Sequence, residues 1–413
     1  MGLITLEALD EGRVLAADVH DINGRLLLSQ GQVLGANHLR VLKIWGITEV
    51  EVSGDAEEAL AAETALDPDQ LAAAEAAVAA MFDQLDLTHE TMAFIYECAI
   101  NDRCANGRSP ASLGLGKSAP TVMPKIGWKD IQAKIDRNGI KLPEAPTIVL
   151  KLNHVIADPQ ASADDVAQIV GTSPSLTALI LRIVNSAAFG LPTRVDRISR
   201  AVTLLGTREI SALAMGVSVM KAFMDISRDL IDMEAFLRHS LACATISRYL
   251  AALSNSSQTE QLFIAGLLHD IGKLILLKYF PQEIKALFQI TWANNYRGPF
   301  YAVEKAAIGR THAQLAGQLL KKWQFPIPLQ HMVRHHHTPS KSQCPAETVL
   351  VQMADLIVNA VGLGSSGERV IPGFDTAAWG QVEVTKTNLK MAIRQAEQQL
   401  RAMDAILSVE GRA

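Results

Sequence analysis

Positive charge is not in excess in this 413-residue sequence: 38 lysines and arginines stand against 43 aspartates and glutamates, a balance that argues against a general DNA or RNA binder. Long apolar runs are missing too. No stretch reaches the roughly eighteen uncharged apolar residues of a membrane span, and the start MGLITLEALDEGRVLAADVH has no basic head followed by an apolar core. Neither secretion nor membrane insertion is expected, and the cytoplasm is the expected compartment. The four cysteines, Cys98, Cys104, Cys243 and Cys344, show no CxxC spacing, which excludes a zinc ribbon and reads as reduced thiols to which no chemistry is assigned. A phosphate-binding loop is also lacking. The GLGKS within NGRSPASLGLGKSAPTVMPK is without the first glycine of GxxxxGK[ST], and Pro120 follows where a helix should run.

What is present divides into several units, since the length exceeds what one hydrophobic core ordinarily serves. Residues 1–56 read as a small α+β module. RVLAADVHD is strand-like, Asn23-Gly24 favours a tight hairpin turn, and RLLLSQGQVL is a second strand. Leu39, Leu42 and Trp45 then fall at helical spacing before Gly46, and ITEVEVS alternates as a half-buried strand does. The module holds no cluster of acids, histidines or glycines, so docking or dimerisation is its expected role, with His20 and His38 on the surface.

Residues 57–104 are rich in Ala, Glu, Gln and Leu, with Met81, Phe82, Leu85 and Leu87 at helical intervals, and read as a helical connector. Residues 105–127 read as a flexible linker. The region 128–362 has an all-α pattern, in which Ser162 and the pair Ser173-Pro174 mark helix starts. Asn185 is expected to be buried, tying a helix end. A loop over 363–384 and a C-terminal helix over 385–410 follow. The Leu389, Ile393, Leu400 and Met403 stripe of that helix suits either dimerisation or closure of the bundle.

Chemistry concentrates in the second half of the helical region. His239 shares a helix face with Phe236, Cys243 and Ile246, and His269-Asp270 sits inside LLHDIGKL. His312 lies on the stripe of Leu315, Ala316 and Leu319, LQHMVRHHHTPS supplies four histidines, and Asp355 lies in LVQMADLIVNAV. A lone histidine on an apolar face is ordinarily a hydrogen-bonded core residue; the joint pattern shifts the balance. An isolated buried carboxylate costs several kcal/mol, so Asp270 needs a cation or donors. Imidazole with carboxylate suits divalent iron, manganese, zinc or nickel, and a helical bundle can aim ligands from several helices at one point.

The order His239, His269-Asp270, His312, His336, Asp355 resembles the ligand series of the HD superfamily of metal-dependent phosphohydrolases. LPEAPTIVLKLNHVIADP, ILRIVNSAAFG, ISRAVTLLG, RHSLACA, AGLLHDIGKLILL, GRTHAQLAGQLLKKW and RHHHTP together resemble the HDOD domain, the HD-related output domain of bacterial signalling proteins. The resemblance covers about residues 128–361 and implies an all-helical bundle with an HD-like half at about 225–362. The N-terminal module is similar to segments that precede HD-type signalling domains.

The resemblance implies a metal site of His239, His269, Asp270, His312, His336 and Asp355. His335 is the alternative to His336, being four residues after His331 and so on its helix face; three successive histidines cannot all face one ion from a helix, where positions turn by about 100°. Two readings stand for Lys273, a contact to a substrate phosphate or an exposed helix-end cation. Two stand for Glu304, an acceptor orienting His312 or a partner of Arg310. The GYP signature of related cyclic-di-GMP hydrolases is absent after HHHTPS, which argues against that substrate. The family implies a signalling output protein acting through protein partners or a ligand, with a homo-oligomer admitted. The alternative is a metal-dependent phosphohydrolase acting on a nucleotide or other phosphoester, with Asp270 and Lys273 at its centre.

Overall fold

In this computed structural model the described residues are all but 1, 7–8, 21–25, 36–37, 40–41, 43–46, 48, 54–67, 84, 108–128, 130–145, 159, 161, 186–190, 192, 255, 257, 293–297 and 411–413. The alternation in EVEVS buries Val50 and Val52 and makes β5 (Glu49–Ser53) the centre of a three-stranded antiparallel sheet, flanked by β1 (Gly2–Thr5) and β2 (Val14–Leu15). A two-stranded sheet pairs β3 (Val19–His20) with β4 (Leu26–Leu28). The expected strand RVLAADVHD is therefore two strands, because the chain bends at residues 16–17 and changes partner. β1 was not expected from the sequence; its pairing with β5 lies almost fifty residues away. Leu9, Leu15, Leu34, Leu42, Val50 and Val52 belong to a core separate from that of the helices. His20 is exposed, but His38 is half-buried, its Nδ1 accepting from Gly35 N at 3.1 Å. The Asn23-Gly24 turn, Trp45 and Gly46 lie outside the described residues.

Helices α1 (Pro68–Phe82) and α2 (Glu90–Asn106) belong to the helical body instead of spacing it from the module. Val78, Met81, Phe82, Met92 and Ile95 join its core, and Arg103 Nη1 donates to Ala360 O at 2.9 Å. Leu85 and Leu87 are not on the stripe. The first helix stops at Phe82, and the Asp86 carboxylate holds the turn by accepting from Thr88 N at 2.9 Å. The expected linker lies outside the described residues from residue 108 on.

The next five helices, α3 (Thr147–Ala157), α4 (Ala163–Gly171), α5 (Pro174–Val184), α6 (Ile198–Leu205) and α7 (Thr207–Lys221), form the first half of the bundle. Ser162 forms a capping box with Asp165, and Ser173 caps α5 with Pro174 in its first turn. Asn185 is exposed, not buried; it ties α5 by donating from Nδ2 to Leu181 O and Val195 O, while Oδ1 accepts from Val195 N.

The second half is built on α8 (Met233–Leu253), against which α9 (Thr259–Leu268), α15 (Pro345–Val361) and α17 (Lys386–Glu410) pack. Between them run α10 (Ile271–Tyr279), α11 (Pro281–Trp292), α12 (Phe300–Ile308), α13 (His312–Lys322), α14 (Ile327–His335) and a 3-10 turn, Pro339–Lys341. The C-terminal helix closes the bundle. Leu389 and Leu400 are buried, Ile393 is partly so, and Thr245 Oγ1 donates to Gln399 Oε1 at 3.1 Å. Met403's side chain lies outside the described residues. Arg394 of this helix pairs with Glu49 of β5. The stretch expected as a loop over 363–384 contains a short helix, α16 (Thr376–Trp379), capped by Asp375 and anchored by Trp379 Nε1 donating to Gln352 Oε1 at 2.9 Å. Among the described residues no helix is long and apolar enough to cross a membrane.

Candidate metal centre

Helical spacing starts the site. His239 and Cys243, four residues apart on α8, share one buried face, with Cys243 Sγ 3.6 Å from His239 Nε2. His269 and Asp270 could not face one point from consecutive positions of an unbroken helix. They sit at the break between α9 and α10, where Asp270 leaves helical geometry at φ −97° and ψ 5°. The glycine of HDIGK has a steric role: a Cβ on Gly272 would lie 2.1 Å from His312 O. Only glycine lets α10 meet the start of α13 so closely, and this contact carries His312 to Asp270.

Two groups of donors result, joined by the Asp270 carboxylate. In the first, His239 Nε2 lies 3.3 Å from His269 Nε2 and 3.3 Å from Asp355 Oδ1, and His269 Nε2 lies 3.4 Å from Asp355 Oδ1. Asp270 Oδ2 is 3.3 Å from His269 Nε2. In the second, Asp270 Oδ1 lies 3.0 Å from His312 Nε2 and 3.9 Å from His336 Nε2, and His337 Nε2 lies 3.1 Å from His312 Nε2. Three of the rings are oriented from behind. His269 Nδ1 meets Gly266 O at 2.8 Å, His336 Nδ1 meets Val333 O at 2.8 Å, and His312 Nδ1 meets Glu304 Oε2 at 2.6 Å, so each Nε2 is presented inward. Glu304 Oε2 also accepts from His312 N.

Electrostatics follow from burial and these neighbours. Burial opposes a charge on His269 and His312, but the facing carboxylates outweigh it and hold them up at about 10 and about 9 respectively. Burial pushes His239 down and, aided by the neighbouring imidazoles, lowers His336 to about 3. It also pushes the Cys243 thiol up. Buried His336 Nε2 has no hydrogen-bond partner, and Asp270 Oδ1, though 3.0 Å from His312 Nε2, is not aligned to accept from it, an arrangement costly without a cation. The donor set therefore fits divalent metal, and both groups could hold an ion.

The HHH run is divided by the end of α14. His335 is half-buried and stacks with His331, 5.7 Å between ring centroids, away from the centre. Past the helix end, His336 and His337 both reach the second group, His337 stacking on Tyr301. The following Thr338-Pro339, which cannot extend a helix, is the sequence signal for that divergence.

Lys273 is 1% exposed, so the exposed-cation reading is overturned. Its ammonium donates to Asp270 Oδ2 at 3.0 Å, Glu368 Oε1 at 3.0 Å and Ser366 Oγ at 3.1 Å. Glu368 also accepts from Phe300 N at 3.0 Å. Neither Ser366 nor Glu368 was expected at the site. The segment carrying them is laid against α8 by Ser365 N donating to Ala235 O. It is admitted there by Gly364, whose φ is +88° and whose Cβ would lie 2.3 Å from His239 N.

An all-helical bundle thus presents histidines and aspartates inward at a helix break. Residues 142–339, just under half of the chain, match the HDOD domain family. Asp355, Ser366 and Glu368 lie beyond the matched stretch. A relative from Treponema pallidum (strain Nichols), an uncharacterized protein, is 26% identical over 202 residues, covering 48% of this chain and 37% of its own length. The chain thus spans little over a third of that relative. Three solved structures share the fold. A candidate phosphohydrolase from Shewanella amazonensis SB2B is 21% identical with TM-score 0.51, covering 65% of this chain and 97% of that one. An HDOD domain protein of unknown function from Geobacter sulfurreducens is 20% identical with TM-score 0.50, covering 68% and 93%. A candidate metal-dependent phosphohydrolase, also from Shewanella amazonensis SB2B, is 17% identical with TM-score 0.51, covering 67% and 97%.

Proposed function

We propose that this chain is a cytoplasmic bacterial signalling output protein. Its HDOD domain acts through protein partners or ligand binding, and its HD-type centre holds divalent metal in a regulatory or structural role. His239, His269, Asp270 and Asp355 would hold one ion, and His312, His336 and His337, across Asp270, could take a second. The observation that carries the regulatory reading is the state of Lys273. An ammonium has three donors, and Asp270, Glu368 and Ser366 take all three, leaving none for a phosphoryl oxygen. The α+β module, whose described buried residues are apolar apart from Glu49, serves as the docking or dimerisation element.

A second reading, a metal-dependent phosphohydrolase acting on a nucleotide or phosphoester, is favoured by one observation. The two donor groups share Asp270, as an arrangement serving hydrolysis would. Metal bound there would supply a water of lowered pKa and a clamp for a phosphoryl oxygen. In this reading Lys273 must first part from Glu368 to meet a phosphate.

The experiment is metal analysis of protein purified without chelator, with phosphate release followed over a nucleotide panel in added manganese or iron. Bound metal that is lost in His269→Ala with Asp270→Ala, without turnover in the wild type, is the expected result. Phosphate release abolished by that double substitution would move the assignment to the second reading. Metal-free wild-type protein would remove both metal assignments.

A further inference from the structure

His239 Nε2, Cys243 Sγ, His269 Nε2 and Asp355 Oδ1 lie within 4.8 Å of one another, and all four side chains are buried. The separations among the three nitrogen and oxygen donors, and from His239 to Cys243, match edges of a coordination tetrahedron. Metal–nitrogen or metal–oxygen bonds of about 2.0–2.1 Å and a metal–sulfur bond of about 2.3 Å give edges of about 3.3–3.4 Å between nitrogen or oxygen donors and about 3.6 Å from nitrogen to sulfur. The observed separations are 3.3 Å for His239 to His269, 3.3 Å for His239 to Asp355 and 3.4 Å for His269 to Asp355. Cys243 Sγ stands 3.6 Å from His239 Nε2. A thiol–imidazole hydrogen bond would account for that last distance alone. It gives no reason for two further donors to close around the same point.

We infer that Cys243 is a thiolate ligand of the first metal position, completing with His239, His269 and Asp355 a closed four-donor site. The inference rests on the metal reading above and refines it at one position: Cys243 takes the fourth place given there to Asp270, whose Oδ2 stands 3.7 Å from His239 Nε2 and 3.3 Å from His269 Nε2. Sulfur favours zinc or ferrous iron over magnesium or manganese, which prefer all-oxygen surroundings. On binding, the sulfur–metal bond replaces the sulfur–hydrogen bond, and the thiol proton leaves to solvent together with the Nε2 proton that His269 carries in the empty site. Asp270 Oδ2, which also accepts from Lys273, stays at the edge of this group and faces the second with its other oxygen. The consequence is functional: the thiolate occupies the position that a hydrolytic zinc centre keeps for water.

Cobalt(II) substitution of the full chain, read by absorption spectroscopy beside the metal stoichiometry, tests this. The expected result is an intense near-ultraviolet sulfur-to-cobalt charge-transfer band that disappears in both Cys243→Ser and Cys243→Ala and persists in Cys104→Ser. Zinc affinity should fall by at least about tenfold in the two Cys243 variants, since even outer partners of ligands cost that much. Using serine and alanine together separates loss of the ligand from a packing fault, and the far-ultraviolet circular dichroism of each variant reports folding. Stoichiometric cobalt without the band, or a band that survives Cys243→Ala, overturns the role of Cys243 while leaving metal at the site. No cobalt retained by the wild type overturns the metal reading and this inference with it.

Discussion

The two halves of the helical bundle are built from opposite materials. Helices α3 to α7 bury Val166, Ile180, Ile198 and Leu213, and the only polar residues buried among their described positions are Ser211 and Ser218. Among the described residues from α8 onward, the interior holds five histidines, two aspartates, two glutamates, Lys273 and Arg248. Apolar burial stabilises by about 25 cal/mol per Å², whereas buried charges must recover a desolvation cost of several kcal/mol each through their partners. The first half is therefore held almost wholly by apolar burial, whereas the second sets its charged centre inside an apolar core of its own, lined by Phe236, Leu268, Phe288, Phe300 and Ile357. They meet where α7 packs on α9, and Gly216 leaves room there for the side chain of Leu267, two residues before His269.

The sharpest way to separate the halves is to remove metal and raise the pH. His269 and His312 stand above the ordinary 6.5, because carboxylates outweigh burial. Their contribution to stability is thus complete below about 6.5 and is lost as pH rises through about 9 and about 10. In chelated protein the thermal midpoint should fall steeply across that window, with amide protection lost first in α8, α9 and α10. Bound metal, which requires unprotonated rings, should remove the dependence. A uniform loss of protection in α3 to α7 would dissolve the comparison.

Next in size is Lys273→Met. Removing the ammonium leaves Asp270 and Glu368 buried without their cation and should cost about 3–5 kcal/mol in denaturant unfolding. The double variant Lys273→Met with Glu368→Leu should recover part of the loss; equal losses in both would show that the pair is not coupled. Gly272→Ala comes third, at about 3 kcal/mol, because its Cβ would meet the backbone oxygen of His312 and not a side chain able to turn aside.

How much of this was legible in the sequence depends on the range of the contact. His239, His269, Asp270, His312 and Asp355 stand out because each interrupts an apolar helical face, a local pattern, whereas His336 is singled out from His335 only by the family resemblance. The capping at Ser162 and Ser173 is equally local. Glu368 was not legible: its partner Lys273 is 95 residues away, and the stretch around it has the glycine and serine content of a loop. Cys243 lies on the His239 face, but the spacing of cysteines from one another carries no signal for donors gathered from several helices. The split of His336 and His337 from His335 turned on where α14 ends, and Asn185 was misplaced because its helix ends in an exposed turn. The C-terminal stripe fits dimerisation and closure equally by sequence, and only the long-range packing of Leu389 and Leu400 in the core beside α8 distinguishes them.

The smallest expected effect is of opposite sign and comes from the first half. Gly171, the last residue of α4, is exposed and has a right-handed backbone, and a Cβ there would meet nothing within 4 Å. Alanine restricts the unfolded chain more than glycine does and is favoured in a helix, so Gly171→Ala should raise stability by about 0.4–1 kcal/mol. The same chemical change at Gly272 is destabilising, because there the missing side chain is what allows two helices to touch. Both variants should be compared by denaturant midpoint and by metal content. Gly171→Ala should leave metal content unchanged, since nothing joins it to the centre except the packing of the first half as a whole. Reduced metal in Gly171→Ala would mean that the first half tunes the site as well as bracing it, and the division of labour between the halves would have to be redrawn.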